Sequence, residues 1–242
     1  MGIFWIIFAF AMVVGFLITG LTYSNAFVFF IIMSAFAIVG TLCFCLLPRP
    51  RPIITEHMDS AMSHSSVNEA PQSGSEKFKV LIRLACSSRM LMVMPLMAHL
   101  GVAIVFYSIM LSDSVAEIGG IPGDTKTNNR RSSFVLTALG ATECIGGLTA
   151  GLLIDKYGKK VAIAFELVTG LVGYGCAMVA VRVGGYTIWW FLSAGFYGFS
   201  DSFGNTVINS ILGSQFHLKI EPFAVFRFVL AITSGAFSFI TP

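Results

Sequence analysis

Charged residues are scarce in this chain of 242 residues: Lys, Arg, Asp and Glu make up only 11% of it. A typical soluble domain has about a quarter. Residues 2–48, 90–112 and 183–200 contain no charged residue at all, whereas 56% of the whole chain is hydrophobic. Because a bilayer-crossing helix needs about 20 apolar residues, this distribution excludes a soluble enzyme and predicts an integral membrane protein.

The chain also lacks the features of several other classes of protein. Its net charge of +3 is small and scattered, so no nucleic-acid partner is expected. Its five cysteines are odd in number and four lie in apolar runs, which indicates neither a disulfide framework nor a metal site. No paired His or Cys has metal-ligand spacing, and Gly198 to Asp201 lacks the second glycine of a nucleophile elbow. We therefore expect no enzyme activity, catalytic residue, cofactor or metal.

The apolar runs predict an all-helical, polytopic membrane protein with about seven transmembrane helices. Residues 2–48 would extend about 70 Å as one helix, more than twice the hydrocarbon core, so this run is expected to fold back near residues 22–25 as a hairpin. In lipid, the backbone must satisfy its own hydrogen bonds, which favours helices. Five further spans are predicted at about residues 91–111, 133–153, 161–181, 187–209 and 222–241.

Basic residues are distributed unequally between the two predicted sides of the membrane. With the N-terminus in the cytoplasm, ten Lys and Arg residues lie on the cytoplasmic side and four on the other. Because positive loops resist translocation, we expect a cytoplasmic N-terminus and an external C-terminus, in the plasma membrane or an endomembrane.

Composition divides the chain into three parts. Residues 1–47 are predicted to be a transmembrane helical hairpin, residues 48–89 a flexible cytoplasmic linker rich in Pro and Ser, and residues 90–242 a five-helix unit. The outer loop at residues 112–132 contains several turn-forming Gly and Pro residues, and is predicted to have no regular structure.

The most specific local pattern joins the fourth and fifth predicted spans through a very short loop. Gly147 and Gly151 are one helical turn apart, a spacing that lets a neighbouring helix approach closely. Gly158 can adopt the positive φ of a tight reversal, and Lys159 and Lys160 hold the loop inside. Asp155, at the membrane boundary, is expected to interact with the N-terminal end of an adjacent helix.

The segment from Gly151 through Asp155 and Gly158 to Lys159 and Lys160 resembles the loop signature of the major facilitator superfamily. Four other stretches are similar to its UNC-93-like branch: residues 2–5, 140–147, 198–206 and 222–228. The resemblance implies that the spans correspond to the family's fifth to eleventh helices. The first four helices and the twelfth are then missing, as in a fragment of a twelve-helix bundle, and this chain cannot enclose a central cavity alone.

The resemblance leaves two kinds of function open. UNC-93-like proteins include accessory subunits of potassium channels and trafficking partners of membrane receptors, which implies a channel or receptor as partner. The alternative is a transporter of a small solute or ion that works by alternating access. For that alternative, Glu143 is the expected proton-coupling group and the Asp155 loop is the expected gate.

Glu143 is the sharpest candidate among the intramembrane polar residues. A charged carboxylate at the middle of a span costs about 2.5 to 3.5 kcal/mol, so we expect it to face a partner, water or a proton. It is either a proton-coupling or substrate-contacting acid, or a neutral Glu that hydrogen-bonds a neighbouring helix.

Asp201, Ser202 and Asn205 share one helix face through three- and four-residue spacings, and Thr206 follows them. This stripe could bind a cation, although we favour packing or gating. Arg227 is expected to extend to the membrane interface, with an ion pair to Asp201 as the alternative. Glu166 is expected to meet the loop around Lys159, and His99 is expected to be a packing residue.

Overall fold

A computed structural model describes residues 2–22, 74–216 and 220–240, together with residues 31, 34, 35 and 38. Within these residues the chain is helical, without strands, which confirms the predicted all-α class. The helices are α1 (Gly2–Thr22), α2 (Gly74–Ala85), α3 (Ser88–Val105), α4 (Thr125–Tyr157), α5 (Lys159–Val183), α6 (Ile188–Gln215) and α7 (Glu221–Ile240). One π-helical turn, Phe106–Met110, joins α3 to a short continuation, Leu111–Glu117.

Four of the described helical segments are long and apolar enough to cross a membrane: Ser88–Glu117, Thr125–Tyr157, Lys159–Val183 and Glu221–Ile240. Each contains or closely matches a predicted span. The α1 helix matches the first half of the predicted hairpin, whereas its second half lies outside the described residues except for isolated positions. The chain is therefore a polytopic helical membrane protein.

The α6 helix occupies the centre of the bundle. It packs against α4 on one side and α5 on the other, and α1 packs on α4 while α7 packs on α3. All residues from 200 to 209 are buried, although several are polar. The α6 helix contains the predicted span 187–209 except for its first residue, but is not among the four apolar segments of the described residues. Its polar residues from 200 to 209 are buried against other helices.

Two segments predicted to lack regular structure contain helices within their described residues. The end of the predicted linker forms α2, whose Leu81, Leu84 and Ala85 pack against the buried cluster that includes Val225 and Phe226 of α7. Residues 48–73 of that linker lie outside the described residues.

The outer loop, predicted at residues 112–132, is limited to residues 118–124. The helix before it continues to Glu117, and α4 begins eight residues before the predicted start of its span. Asp124 caps α4: its Oδ1 accepts a hydrogen bond from Thr127 N at 3.0 Å and its Oδ2 one from Thr127 Oγ1 at 2.6 Å. Such side-chain acceptors satisfy the free N–H groups of a helix's first turn. Because of this cap, α4 begins among the polar residues that precede its apolar span.

Candidate functional site

The loop between α4 and α5 is a single residue, Gly158, with φ +83° and ψ 168°. This backbone conformation is essentially restricted to glycine. Lys159 Nζ donates to Ser210 O at 3.1 Å and to Ser214 Oγ, so the loop is fastened to the end of α6. Asp155 and Lys160 are exposed.

Of the two glycines expected to allow a close helix approach, Gly147 is buried, whereas a Cβ placed on Gly151 would meet no described atom within 4 Å. Among the described residues, a close approach of this kind is found at Gly146. A Cβ on Gly146 would lie 2.9 Å from Ser202 Cβ and 3.2 Å from Phe199 Cα. The contact between α4 and α6 therefore depends on Gly146, where α6 crosses α4.

Glu143 is buried, with 6% of its surface exposed. Its backbone carbonyl accepts a hydrogen bond from Ser202 Oγ at 2.7 Å. Its carboxyl group has no hydrogen-bond partner among the described residues, but lies within electrostatic range of the Asp201 carboxyl. Both predicted roles of Glu143, the proton-coupling or substrate-contacting acid and the neutral hydrogen-bonded Glu, therefore stay predictions.

Asp201 is also buried, and its side chain is held within α6. Tyr197 Oη donates to Asp201 Oδ1 at 3.4 Å, and Asn205 Nδ2 donates to Oδ2 at 3.0 Å. These contacts agree with the shared face predicted for Asp201 and Asn205. Thr206 Oγ1 is buried and has no partner among the described residues.

Arg227 does not pair with Asp201, so that alternative is wrong. Its side chain is exposed, with the guanidinium carbon 5.3 Å from the centre of the Phe226 ring. The physical reason is that α7 packs mainly on α3 and touches α6 little. The exposed position agrees with the expected extension to the interface.

Glu166 and His99 form the contact that sequence reasoning missed. Glu166 is completely buried, and its Oε1 lies 3.4 Å from His99 Nε2. Ser200 Oγ donates to Glu166 O at 3.0 Å and approaches Oε1 at 3.5 Å, whereas Oε2 is buried and has no partner among the described residues. Glu166 therefore points into the bundle and not to the Lys159 loop, and His99 is an acid's partner and not merely a packing residue.

Both corrections follow from the position of Glu166 along α5. Glu166 lies seven residues after Lys159, about two turns and 10 Å along α5, too far for the loop and on the side that faces α3 and α6. A charge inside an apolar helix is a signal of function. The same criterion that selected Glu143 would have selected Glu166.

Three tyrosines in contact with one another lie beside this polar region. Tyr107, in the π-helical turn, stacks on Tyr197 with ring centres 3.5 Å apart, and Tyr174 is 5.7 Å from Tyr107. Because π-helical turns recur at functional sites, this one is a candidate hinge of α3 next to the acids.

Three buried acids and one histidine therefore form one electrostatically connected region across four helices. They are Glu143 of α4, Glu166 of α5, Asp201 of α6 and His99 of α3. In the part of the chain that the structure describes, no group of three or more His, Cys, Asp or Glu residues could hold a metal ion. The region offers carboxyl and imidazole groups that could exchange protons.

The fold and these buried acids define the class: a multi-pass helical membrane protein with an ionisable interior. A family model described as "Ion channel regulatory protein UNC-93" matches residues 1–183. The chain belongs to the UNC-93 family, as the resemblance implied.

One curated relative is the "UNC93-like protein MFSD11" of Xenopus tropicalis, 25% identical over 267 aligned residues. The match includes 97% of this chain and 59% of the relative, so the chain spans little more than half of the relative's length. No solved structure matches.

Proposed function

We propose that this protein regulates an ion channel as an accessory membrane subunit, with a potassium channel as the first candidate. The observation that carries the proposal is the match over residues 1–183 to a family described by ion channel regulation. Such a role requires a surface for a partner within the membrane and does not require a central cavity.

The α5 helix offers such a surface. Its outward side exposes Leu167, Val168, Leu171 and Met178, with exposed fractions from 48% to 72%. The opposite side, with Glu166 and Gly170, faces the bundle. A partner helix could pack against the outward side without disturbing the buried acids.

Voltage-clamp recording of a co-expressed potassium channel tests the proposal. We expect the current to change when the full chain is present, and the change to diminish in Leu171→Trp, which adds bulk to the outward side of α5. Ile121→Trp, in the exposed loop before α4, is the matched control. An unchanged current, together with no co-purification of the channel, would contradict regulation.

The buried acids favour a second function, proton-coupled transport with Glu143 as the coupling group. A cost of about 2.5 to 3.5 kcal/mol for each charge at bilayer depth makes buried acids uncommon unless they have a role. Glu143 supports this role best, since its carboxyl group lacks a hydrogen-bond partner among the described residues and adjoins Asp201.

Proton flux into proteoliposomes, followed with an internal pH dye under an imposed pH gradient, tests transport. We expect flux that disappears in Glu143→Gln and persists in Glu117→Gln, an exposed acid. Flux that is equal in both variants, or absent from the unaltered chain, would count against transport. The two proposals are separable, because channel regulation predicts a change in current without proton flux, whereas transport predicts proton flux.

A further inference from the structure

An apolar groove of about 550 Å³ lies between α2, α3 and α7. On α2 it is lined by Phe78, Leu81, Ile82 and Ala85, which share one helix face through three- and four-residue spacings. On α3 it is lined by Met94 and Ala98, and on α7 by residues from Ala224 to Thr233. Thr233 is the one polar residue in this lining.

The groove has the length of one lipid chain within one leaflet. Ala224 and Thr233 are nine residues apart, or about 14 Å by helical rise. Half of the hydrocarbon core is about 15 Å. The groove therefore extends from the short α2 helix to about the middle of the bilayer, if α2 lies at the membrane surface.

The composition of α2 is that of a helix at the membrane surface. It has 12 residues, too few to cross a bilayer, and Phe78 and Ile82 remain 61% and 50% exposed. Apolar side chains of this exposure on an amphipathic helix bury themselves at the boundary between headgroups and acyl chains.

Basic side chains adjoin the apolar face of α2. Lys79 and Arg83 are exposed, lie four residues apart on the polar side of α2, and each directly follows a groove residue in the sequence. Arg89, also exposed, follows in the first turn of α3. The helix contains one acid, Glu76, in its first turn. The polar side of α2 and the start of α3 therefore carry positive charge that is complementary to a negatively charged headgroup at the membrane surface.

We propose that this groove binds an anionic phospholipid, with one acyl chain between α2, α3 and α7 and the headgroup on Lys79 and Arg83. The charge distribution of the chain predicts that α2 lies on the cytoplasmic side, where anionic lipids are concentrated. The bound lipid would fasten α2 to α7 and so stabilise the contact between the end of the linker and the helical bundle.

Native mass spectrometry of the full chain, released from micelles doped with either dioleoyl phosphatidylglycerol or dioleoyl phosphatidylcholine, tests this proposal. The acyl chains of the two probes are identical, so a difference in retention reports the headgroup. We expect phosphatidylglycerol to be retained in preference. In Lys79→Gln/Arg83→Gln, its affinity should fall about thirtyfold, which corresponds to about 1 kcal/mol for each basic residue.

Two matched controls separate headgroup recognition from general effects. Lys126→Gln/Arg130→Gln removes two exposed basic residues at the other end of the bundle, and should keep the preference. Ala224→Phe fills the groove and should abolish retention, whereas Ala231→Phe adds the same bulk to an exposed position of α7 outside the groove and should not. Thermal unfolding establishes that each variant is folded.

Equal retention of the two lipids by the unaltered chain would overturn the proposal. So would an unchanged preference in the Lys79 and Arg83 variant, since the headgroup would then bind elsewhere. Retention by Ala224→Phe equal to that of the unaltered chain would show that no acyl chain occupies the groove.

Discussion

Glu166 has no exposed surface, yet one of its two carboxyl oxygens has no partner in the described structure. Its other oxygen depends on His99 and, more weakly, on Ser200. When its partner is removed, a buried acid loses the interaction that offsets the cost of its burial. Replacing both partners by apolar residues can leave the stability unchanged. The stability of the bundle should therefore respond differently to single and to paired substitutions here.

We expect His99→Ala to lower the free energy of unfolding by about 3 kcal/mol. The double variant His99→Leu/Glu166→Leu should recover most of this loss, because it removes the buried acid together with its partner. Denaturation in detergent micelles measures the free energy of unfolding of both variants. Glu117→Gln, at an exposed acid, serves as control and should change the stability by less than about 0.5 kcal/mol. Equal losses in the single and double variants would argue against the pair.

The stabilisation that the Asp124 cap gives to α4 is expected to depend on pH. Hydrogen bonds from the Thr127 hydroxyl and amide lower the pKa of Asp124 below the ordinary value of about 3.9 for an Asp side chain. Because the pKa is lower in the folded state, the stabilisation by this cap is present above about pH 4 and is lost as the pH falls through the folded value.

Hydrogen exchange of the Thr127 amide should therefore accelerate as the pH falls below about 4, after correction for the intrinsic rate. In Asp124→Asn the cap remains possible but does not titrate, so this additional acceleration should be absent. The same acid response in both proteins would show that another group causes it.

At the scale of elements, the close crossing of α4 and α6 depends on positions without side chains. A Cβ on Gly198 would clash with the backbone of α4 at Leu139 and with Thr142, and would lie 3.1 Å from Glu143 N. Backbone atoms cannot move aside as flexible side chains can, so the two helices would have to separate.

We expect Gly198→Ala to destabilise the protein by about 1 to 3 kcal/mol. Gly213→Ala, on the same helix at an exposed position with no atom within 4 Å, should be neutral or stabilising by up to about 1 kcal/mol, since Ala favours helix. Thermal unfolding in micelles compares the two. Equal effects would mean that the crossing is not tight.

At the scale of the whole molecule, the predicted orientation fixes which loops are accessible from outside. The charge asymmetry predicts the Gly158 turn in the cytoplasm and the loop before α4 outside. Both regions have exposed residues, Lys160 and Lys126.

In a cysteine-free form of the chain, we expect Lys126→Cys to react with an impermeant maleimide on intact cells. Lys160→Cys should react only after permeabilisation. The reverse result would invert the topology, and with it the assignment of α2 and its groove to the cytoplasmic leaflet.

The sequence by itself determined the helical class, the positions of the main spans and the family. These properties depend on the length of apolar runs and on local motifs such as Gly158 with Lys159 and Lys160, which are readable without neighbours. Local signals also placed Glu143, Asp201 and Asn205 among the buried polar groups.

Only the tertiary structure decided which buried groups meet. It paired Glu166 with His99, separated Arg227 from Asp201, placed Gly146 in the close contact with α6 and folded the end of the linker as α2. The physical reason is that a partner across a helix interface is set by crossing angle and rotation. Those depend on packing between segments far apart in the sequence, which no local pattern contains.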